Sequence, residues 1–171
     1  MATNNNNPLV YYRRGLAYYK NKDYVAAIKD LEKSLLNRPN RNIQSDIYYH
    51  IGIAYSNLEK HEEAIEPLSK AIELEPIPRY FHERAKCHIL LERNGSALKD
   101  LNAVIDKQPE NAFAFFRRGF AHKALKKYDE AAEDFMKARE LSPTDPRLII
   151  NKKQIYQTKY RKLCEAGEEE W

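Results

Sequence analysis

Three side chains of types that bind metals stand close together in the chain: His82, Cys87 and His88. Imidazole nitrogens and thiolates are common zinc ligands, so the group indicates a metal site. On a helix, however, residues five and six positions further along do not share a face with the first. No glycine-rich phosphate loop, His-Glu-x-x-His sequence or nucleophile elbow occurs elsewhere. The sequence therefore predicts no enzyme activity, no catalytic residue, no metal and no cofactor.

Basic and aromatic side chains together form a candidate RNA-binding site. Basic residues cluster at Arg13–Arg14, Arg117–Arg118, Lys126–Lys127 and Lys152–Lys162, and aromatic residues lie near several of these clusters. Rings of this kind can stack on bases while the cations contact phosphates. Yet the formal net charge is only +4, because 25 acidic residues are interspersed with 29 basic ones. RNA binding is therefore the alternative, and protein binding is the favoured function.

These residues lie within a pattern that recurs about every 34 residues along the chain. In each copy an aromatic, a small residue and a third residue follow the helical spacing i, i+4 and i+7, and a second stripe repeats that spacing before a proline. The copies are Tyr11, Gly15, Tyr18, Ala27, Leu31, Ser34 and Pro39; Tyr48, Gly52, Tyr55, Ala64, Leu68, Ala71 and Pro76; Phe81, Ala85, His88, Ala97, Leu101, Val104 and Pro109; and Phe115, Gly119, His122, Ala131, Phe135, Ala138 and Pro143. The pattern predicts four helical hairpins whose small residues allow close crossing.

Short polar segments predict the turns within the hairpins at Asn21–Asp23, Glu59–His61, Arg93–Gly95 and Lys126–Lys127. Between the first two copies the phase slips, because Gly15 and Gly52 are 37 residues apart rather than 34. The extra residues fall in Asn40–Gln44, where we expect a longer loop between repeats. That loop is interpreted either as a tolerated surface insertion or as a contact loop or a changed angle between the first two repeats.

The four copies resemble the tetratricopeptide repeat, whose pattern is an aromatic, Leu-Gly, Tyr, Ala, an aromatic, Ala and Pro. Copies one, two and four match most of it, whereas the third has Ala85 and His88 in place of glycine and tyrosine. The resemblance implies an all-α fold, a right-handed α-solenoid of four hairpins with a C-terminal capping helix. The predicted segments are a flexible tail over 1–7, repeats over 8–41, 45–77, 78–111 and 112–145, a capping helix over 146–167 and an acidic tail over 168–171.

The resemblance also implies a binding groove lined by the first helix of each hairpin. The predicted partner-binding residues are Tyr12, Arg13, Leu16, Tyr49, His50, Ile53, Arg79, His82, Phe113, Phe116, Arg117 and Phe120. Phe113, Phe116 and Phe120 form an aromatic stripe separate from the packing residues of their own copy. That stripe either packs against the capping helix or holds a partner, and the sequence leaves both interpretations open.

Co-chaperones of the family hold a C-terminal EEVD carboxylate in a clamp built from Lys, Asn and Arg. Counted from the first copy, the clamp positions here are Tyr12, Leu16, His50, Arg79 and Glu83. Counted from the second, they are Tyr49, Ile53, Glu83, Phe113 and Arg117. Each set has one basic residue, and Glu83 would repel a carboxylate. The sequence therefore predicts a repeat scaffold that is not of the carboxylate-clamp type.

The sequence thus predicts a scaffold or adaptor that binds a protein segment, helical or extended and partly acidic, along its groove. That scaffold being a structural subunit of a larger assembly is a further interpretation, as is self-association through the acidic tail ending at Trp171. Cys87 occupies a position that alanine fills in the other copies, which predicts a packing residue in a reducing, cytoplasmic setting. A ciliary or other organelle assembly stays open, and no membrane insertion is expected.

Overall fold

The structure, a computed structural model, describes residues 7–148, and within that range it contains helices and no strand. The α-helices are α1 (Pro8–Lys20), α2 (Tyr24–Leu36), α3 (Arg41–Asn57), α4 (His61–Leu74), α5 (Pro78–Leu90), α6 (Asn94–Lys107), α7 (Ala112–Ala124) and α8 (Tyr128–Leu141), followed by a short 3₁₀ helix, η1 (Pro146–Leu148). The predicted all-α, helical-repeat fold is confirmed.

The chain divides into two compact units, the first ending at Leu91 and the second beginning at Glu92. In the first unit, α1 pairs with α2 and α3 with α4, while α2 also packs against α3 and α4 against α5. In the second unit, α7 pairs with α8, and both α6 and η1 pack against α7. Within each unit a helix therefore buries its apolar stripe against its neighbours in sequence, as the repeat pattern requires.

The recurring glycines lie where paired helices cross most closely. A Cβ atom built on Gly52 would lie 2.5 Å from Cγ of Leu68, and one built on Gly119 would lie 2.6 Å from Cε1 of Phe135. Both partner side chains belong to the hydrophobic core. The close packing predicted for the small residues is therefore observed at these crossings.

Each turn within a hairpin contains one residue with positive φ, the conformation in which helices commonly end. These residues are Lys22, Glu59, Glu92 and Lys126, with φ of 63°, 61°, 58° and 59°. These four residues occupy the same position in the four copies. The third turn is therefore centred on Glu92, and α6 begins two residues later, at Asn94. The predicted turn over Arg93–Gly95 is thus wrong at its last two residues, and the one over Glu59–His61 is wrong at His61, the first residue of α4. Gly95 is tolerated in the first turn of α6 because it stands in open space.

The extra residues between the first two hairpins lengthen a helix and do not form a loop. Helix α3 is 17 residues long and begins at Arg41. The Asn40 side chain caps it by accepting a hydrogen bond from the Ile43 amide at 3.0 Å. The Arg41 guanidinium donates two hydrogen bonds, of 3.0 and 3.2 Å, to the Leu74 carbonyl at the end of α4. The predicted loop over 40–44 is therefore wrong, because these residues satisfy helix-end groups instead.

Of the predicted capping helix over 146–167, the structure describes 146–148, which form η1. Leu148 of η1 is buried, and the Arg147 guanidinium lies 5.0 Å from the centre of the Phe113 ring. The remainder of that predicted helix and the acidic tail lie outside the described residues. Of the predicted N-terminal tail, only Asn7 is described, and its side chain caps α1. Among residues 7–148, every helix is too short or too polar to cross a membrane.

Candidate partner-binding surface

Asp46 connects the first helices of the first unit, α1, α3 and α5, which lie side by side. The Tyr12 hydroxyl of α1 donates to its Oδ2 at 2.6 Å, and Nη2 of Arg79 on α5 donates to its Oδ1 at 2.7 Å. Nδ1 of His50 lies 3.0 Å from the same carboxylate. One carboxylate on α3 thus ties three helices together, and it engages Arg79, a residue that the sequence predicts as a partner contact.

Stacked rings surround this carboxylate on the same face. The Arg79 guanidinium lies 4.8 Å from the Tyr49 ring centre and 5.1 Å from that of Tyr80. Tyr49 and Tyr80 stack with their ring centres 4.9 Å apart. Tyr19 makes an edge contact with His50 at 5.7 Å. The sequence pattern missed Tyr80, because Phe81 holds the aromatic position of that copy. The face is therefore a pre-packed aromatic surface with a cation held in place.

Burial and charge shift the ionisation of this cluster. Burial alone would raise the pKa of Asp46, but hydrogen bonds from His50 and Tyr12, with the charges of His50 and Arg79, lower it to about 2. Burial, with a contribution from Glu83, raises the pKa of Tyr49 to about 12. Burial and donation to Asp46 raise the pKa of Tyr12 still further. At neutral pH the cluster therefore contains a carboxylate and neutral phenols.

This pKa shift predicts a pH-dependent stability. Because the folded pKa of Asp46 lies below its ordinary value, its contribution is complete above about pH 4 and is lost as the pH falls through about 2. We expect wild-type protein to lose about 1–2 kcal/mol more of unfolding free energy over this window than Asp46→Asn. Urea unfolding of both proteins from pH 5 to pH 2 measures the difference. Parallel curves would show that Asp46 does not carry this effect.

The other predicted groove residues of the first unit differ in exposure. Arg13 is exposed, whereas Leu16 and His82 are partly buried. Ile53 is only 8% exposed and packs with Ala64 and Leu68 in the core. The prediction that Ile53 is an exposed groove residue is therefore wrong. Its side chain packs against α4 and α5 in the core and does not face solvent.

Helix α7 of the second unit presents the predicted aromatic stripe. The rings of Phe113 and Phe116 lie 6.1 Å apart, and those of Phe116 and Phe120 lie 5.0 Å apart. Phe116 also contacts the core ring of Phe135 at 6.0 Å, whereas Phe120 is 43% exposed. The Arg117 guanidinium lies 5.5 Å from the Phe113 ring centre. The stripe is thus anchored to the core at Phe116 and reaches the surface at Phe120.

Two arginines from the predicted basic clusters form ion pairs with buried aspartates. Arg118 donates to Asp134 through Nε and Nη2, the shortest distance being 2.7 Å, and Nδ1 of His122 lies 2.9 Å from the same carboxylate. Arg14 makes an equivalent bidentate pair with Asp30. Neither pair was predicted from the sequence, although Arg and Asp recur at fixed positions in the copies and this recurrence is their signal. Both arginines therefore have an anionic partner within the chain, which reduces their value as phosphate ligands.

The metal-ligand residue types do not assemble into a site within the described part of the chain. Residues 7–148 contain no cluster of three or more His, Cys, Asp or Glu side chains that could hold a metal ion. Cys87 is fully buried and packs in the core with Leu68. The packing role predicted for Cys87 is therefore observed.

Models of the tetratricopeptide repeat match residues 8–74 and 112–145, together more than half of the chain. The chain belongs to the tetratricopeptide repeat family. The matches cover helices α1 to α4 and α7 to α8, the hairpins in which the recurring glycines lie. Tetratricopeptide repeats stack into surfaces that bind other proteins, so the chain is a protein–protein interaction scaffold of a typically non-enzymatic class.

Curated relatives carry a similar repeat segment within longer chains. Serine/threonine-protein phosphatase T of Aspergillus oryzae is 28% identical over 95 residues, covering 53% of this chain and 20% of that protein. The SGT1 homolog of Homo sapiens is 35% identical over 75 residues, covering 43% and 20%. The Hsp70/Hsp90 co-chaperone cns1 of Schizosaccharomyces pombe is 32% identical over 75 residues, covering 44% and 21%. The match thus spans about a fifth of each relative's length.

Solved structures of repeat proteins share the fold. YrrB, described as a tetratricopeptide repeat protein with an unusual peptide-binding site, superposes with a TM-score of 0.76 at 25% identity, covering 85% of this chain and 73% of YrrB. MamA superposes with a TM-score of 0.81 at 20% identity, covering 89% and 82%. The Desulfovibrio magneticus MamA fragment gives 0.78 at 18% identity over 99% of both chains.

Proposed function

We propose that this tetratricopeptide repeat protein is a non-enzymatic adaptor that binds a partner's protein segment on the faces of its first helices. The observation that carries the proposal is the stripe on α7, where Phe120 reaches the surface and the Arg117 guanidinium lies over the Phe113 ring. Aromatic and arginine side chains are the residues most enriched in binding hot spots. A ring that is 43% exposed yet braced by Phe116 and Phe135 gains buried area on binding at little entropic cost.

The face built around Asp46 extends the proposal to the first unit. Tyr12, Tyr49 and Arg79 are held in fixed positions by hydrogen bonds and ring contacts before any partner arrives. Pre-ordered side chains favour an apolar segment that covers the rings. Exposed Arg13 would orient acidic groups of a segment bound to the first unit, and Arg117 would do so for a segment bound to the second unit. A reducing, cytoplasmic setting agrees with the packing role of Cys87.

An EEVD carboxylate is not the proposed ligand, although one curated relative is named as an Hsp70/Hsp90 co-chaperone. Of the clamp positions counted from the first copy, Arg79 is basic, and it already pairs with Asp46 at 2.7 Å. The description of YrrB as having an unusual peptide-binding site supports a different mode of peptide capture within the family.

A binding assay with matched variants tests the proposal. Peptides selected from a displayed random library on the full chain provide the ligand, and an EEVD peptide and a single-stranded RNA serve as competitors. We expect Phe120→Ala with Arg117→Ala to weaken binding of the selected peptide by ~2 kcal/mol, about 30-fold, with little change in melting temperature. Phe116 and Phe120 both contact the core ring of Phe135, but Phe116 is the less exposed of the two, so Phe116→Ala would lower stability more and is unsuitable alone.

Met136→Ala with Arg139→Ala is the matched control, because it removes an exposed apolar and basic pair from α8, the second helix of the same hairpin. This variant should bind like the wild type. Equal weakening in both variants would contradict a groove on the first helices. Tight, salt-dependent binding of the RNA would instead support the nucleic-acid alternative.

A further inference from the structure

The second hairpin lacks the Arg–Asp pair that the first and fourth hairpins contain. In the first hairpin Arg14 of α1 pairs with Asp30 of α2, and in the fourth Arg118 of α7 pairs with Asp134 of α8. The guanidinium groups also lie over ring positions of the pattern, 5.6 Å from Tyr11 and 5.2 Å from Phe115. At the matching positions the second hairpin has Ile51 and Pro67, with Tyr48 as the ring.

An open groove of about 660 Å³ lies at this position, between α2, α3 and α4. Its apolar lining consists of Leu35, Leu36, Tyr48, Ile51, Tyr55 and Pro67. Leu36 is 81% exposed, so most of this large apolar side chain is in contact with water. Pro67 also has no amide N–H, so the carbonyl one turn earlier, at Glu63, receives no helix hydrogen bond from it. The missing ion pair thus leaves an apolar floor between these helices.

The rim of the groove is acidic. Four carboxylates line it, those of Glu32, Glu62, Glu63 and Glu66. Lys70 is the basic residue among the described lining; its Nζ pairs with Glu66 at 2.7 Å and lies 5.6 Å from the Tyr48 ring centre. Burial, together with the charges of Glu32 and Glu63, raises the pKa of Tyr55 in the same wall. The groove therefore combines apolar area with an excess of negative charge.

We propose that this groove is a second docking site, and that its occupant is a partner's protein segment with apolar side chains flanked by lysine or arginine. The apolar floor would take the apolar side chains, and the carboxylates of α2 and α4 would pair with the flanking cations. The site uses α2, α4 and three residues of α3, namely Tyr48, Ile51 and Tyr55, and its described lining shares no residue with the surface of Tyr12, Asp46 and Arg79. It selects for charge opposite to that proposed for the segment on the first helices.

Two model peptides test the proposal on the full chain. Both are 18-residue amphipathic helices with leucine at helical spacing. One peptide has lysine at all remaining positions, and the second has glutamate there. By calorimetric titration we expect the lysine peptide to bind at least tenfold more tightly than the glutamate peptide. The double variant Ile51→Arg with Pro67→Asp introduces the Arg–Asp pair of the first and fourth hairpins and leaves the net charge unchanged. It should weaken lysine-peptide binding at least tenfold. Wild-type affinity in this variant would overturn the proposal.

The acidic rim is tested separately, with variants that leave the apolar floor unchanged. Glu62→Gln, Glu63→Gln and Glu66→Gln together should weaken lysine-peptide binding at least tenfold. Asp129→Asn, Glu130→Gln and Glu133→Gln make the same charge change at the matching positions of α8, where the Arg118–Asp134 pair fills the hairpin. That control should bind within twofold of wild type, and equal losses in both variants would overturn the proposal as non-specific charge attraction.

A third variant covers the case in which the installed pair prevents folding. Leu36→Ser removes the most exposed part of the floor without touching the core, and should weaken lysine-peptide binding about fivefold at unchanged melting temperature. An unchanged affinity in this variant would also overturn the proposal. The Phe120→Ala and Arg117→Ala protein should bind the lysine peptide like wild type, so failure at one surface is distinguished from failure at the other.

Discussion

Gly52→Leu is expected to lower the free energy of unfolding by about 3 kcal/mol, because the crossing of α3 and α4 leaves no room for a side chain. A Cβ atom at this position would already lie 2.5 Å from Cγ of Leu68 and 3.3 Å from the Ala64 carbonyl oxygen. Leu68 is fully buried and cannot move aside into solvent. The backbone of α4 would have to shift, and the contacts of α4 with α5 would shift with it. Urea unfolding followed by circular dichroism measures the loss.

Gly95→Ala is the matched control for this change. Gly95 also lies in a helix, but a Cβ atom there would meet no neighbouring atom within 4 Å. We expect this variant to gain about 0.5–1 kcal/mol, because alanine restricts the unfolded chain and favours the helix. An unchanged unfolding midpoint in Gly52→Leu would contradict the register in which the small residue of each copy marks the helix crossing.

Asp134→Ala is expected to lower the free energy of unfolding by about 2–3 kcal/mol, because the substitution leaves a partly buried cation without its counter-charge. Asp134 is 3% exposed, and its carboxylate accepts hydrogen bonds from the Arg118 guanidinium as well as a contact from His122. The Arg118 side chain is 22% exposed, so water compensates only part of the loss. Thermal and urea unfolding of the full chain would measure it.

Glu140→Ala provides the comparison at the surface. Glu140 is 68% exposed and pairs with Lys137, whose side chain is 43% exposed, and removing an exposed pair is expected to change stability by less than ~1 kcal/mol. Replacing both members of the buried pair, Arg118→Met with Asp134→Leu, should recover most of the stability lost in Asp134→Ala, because no buried charge remains. Equal losses in the single and double variants would show that packing, not charge, explains the effect.

The repeat pattern alone was sufficient to predict the fold. Gly52 and Gly119, together with the prolines that follow the second helices, recur at a spacing that only stacked helical hairpins explain, so the family and its interaction function followed. The pattern also predicted that Cys87 packs in the core, because alanine occupies that position in the other copies. Such predictions succeed because they depend on local spacing and side-chain volume, which are properties of the sequence itself.

The sequence misplaced three helix starts, those of α3, α4 and α6, since helix ends depend on hydrogen bonds that residue types do not specify. Asn40 and Arg41 form the first turn of α3 because Asn40 caps it and Arg41 reaches the end of α4. Asn94 and Gly95 enter α6 because Glu92 adopts the positive φ that closes the turn before them. Polar residues in a short segment suit a loop and a capped helix start equally, and tertiary contacts decide between the two.

The sequence by itself determined the repeats, their spacing and the aromatic and basic composition of the first helices. Only the tertiary structure decided which of those side chains are engaged within the chain. It paired Arg79 with Asp46 and Arg118 with Asp134, and it buried Ile53 while exposing Phe120. The physical reason is that pairing and burial depend on what neighbouring helices bring within a few ångströms, and those neighbours lie a repeat or a half-repeat away in sequence.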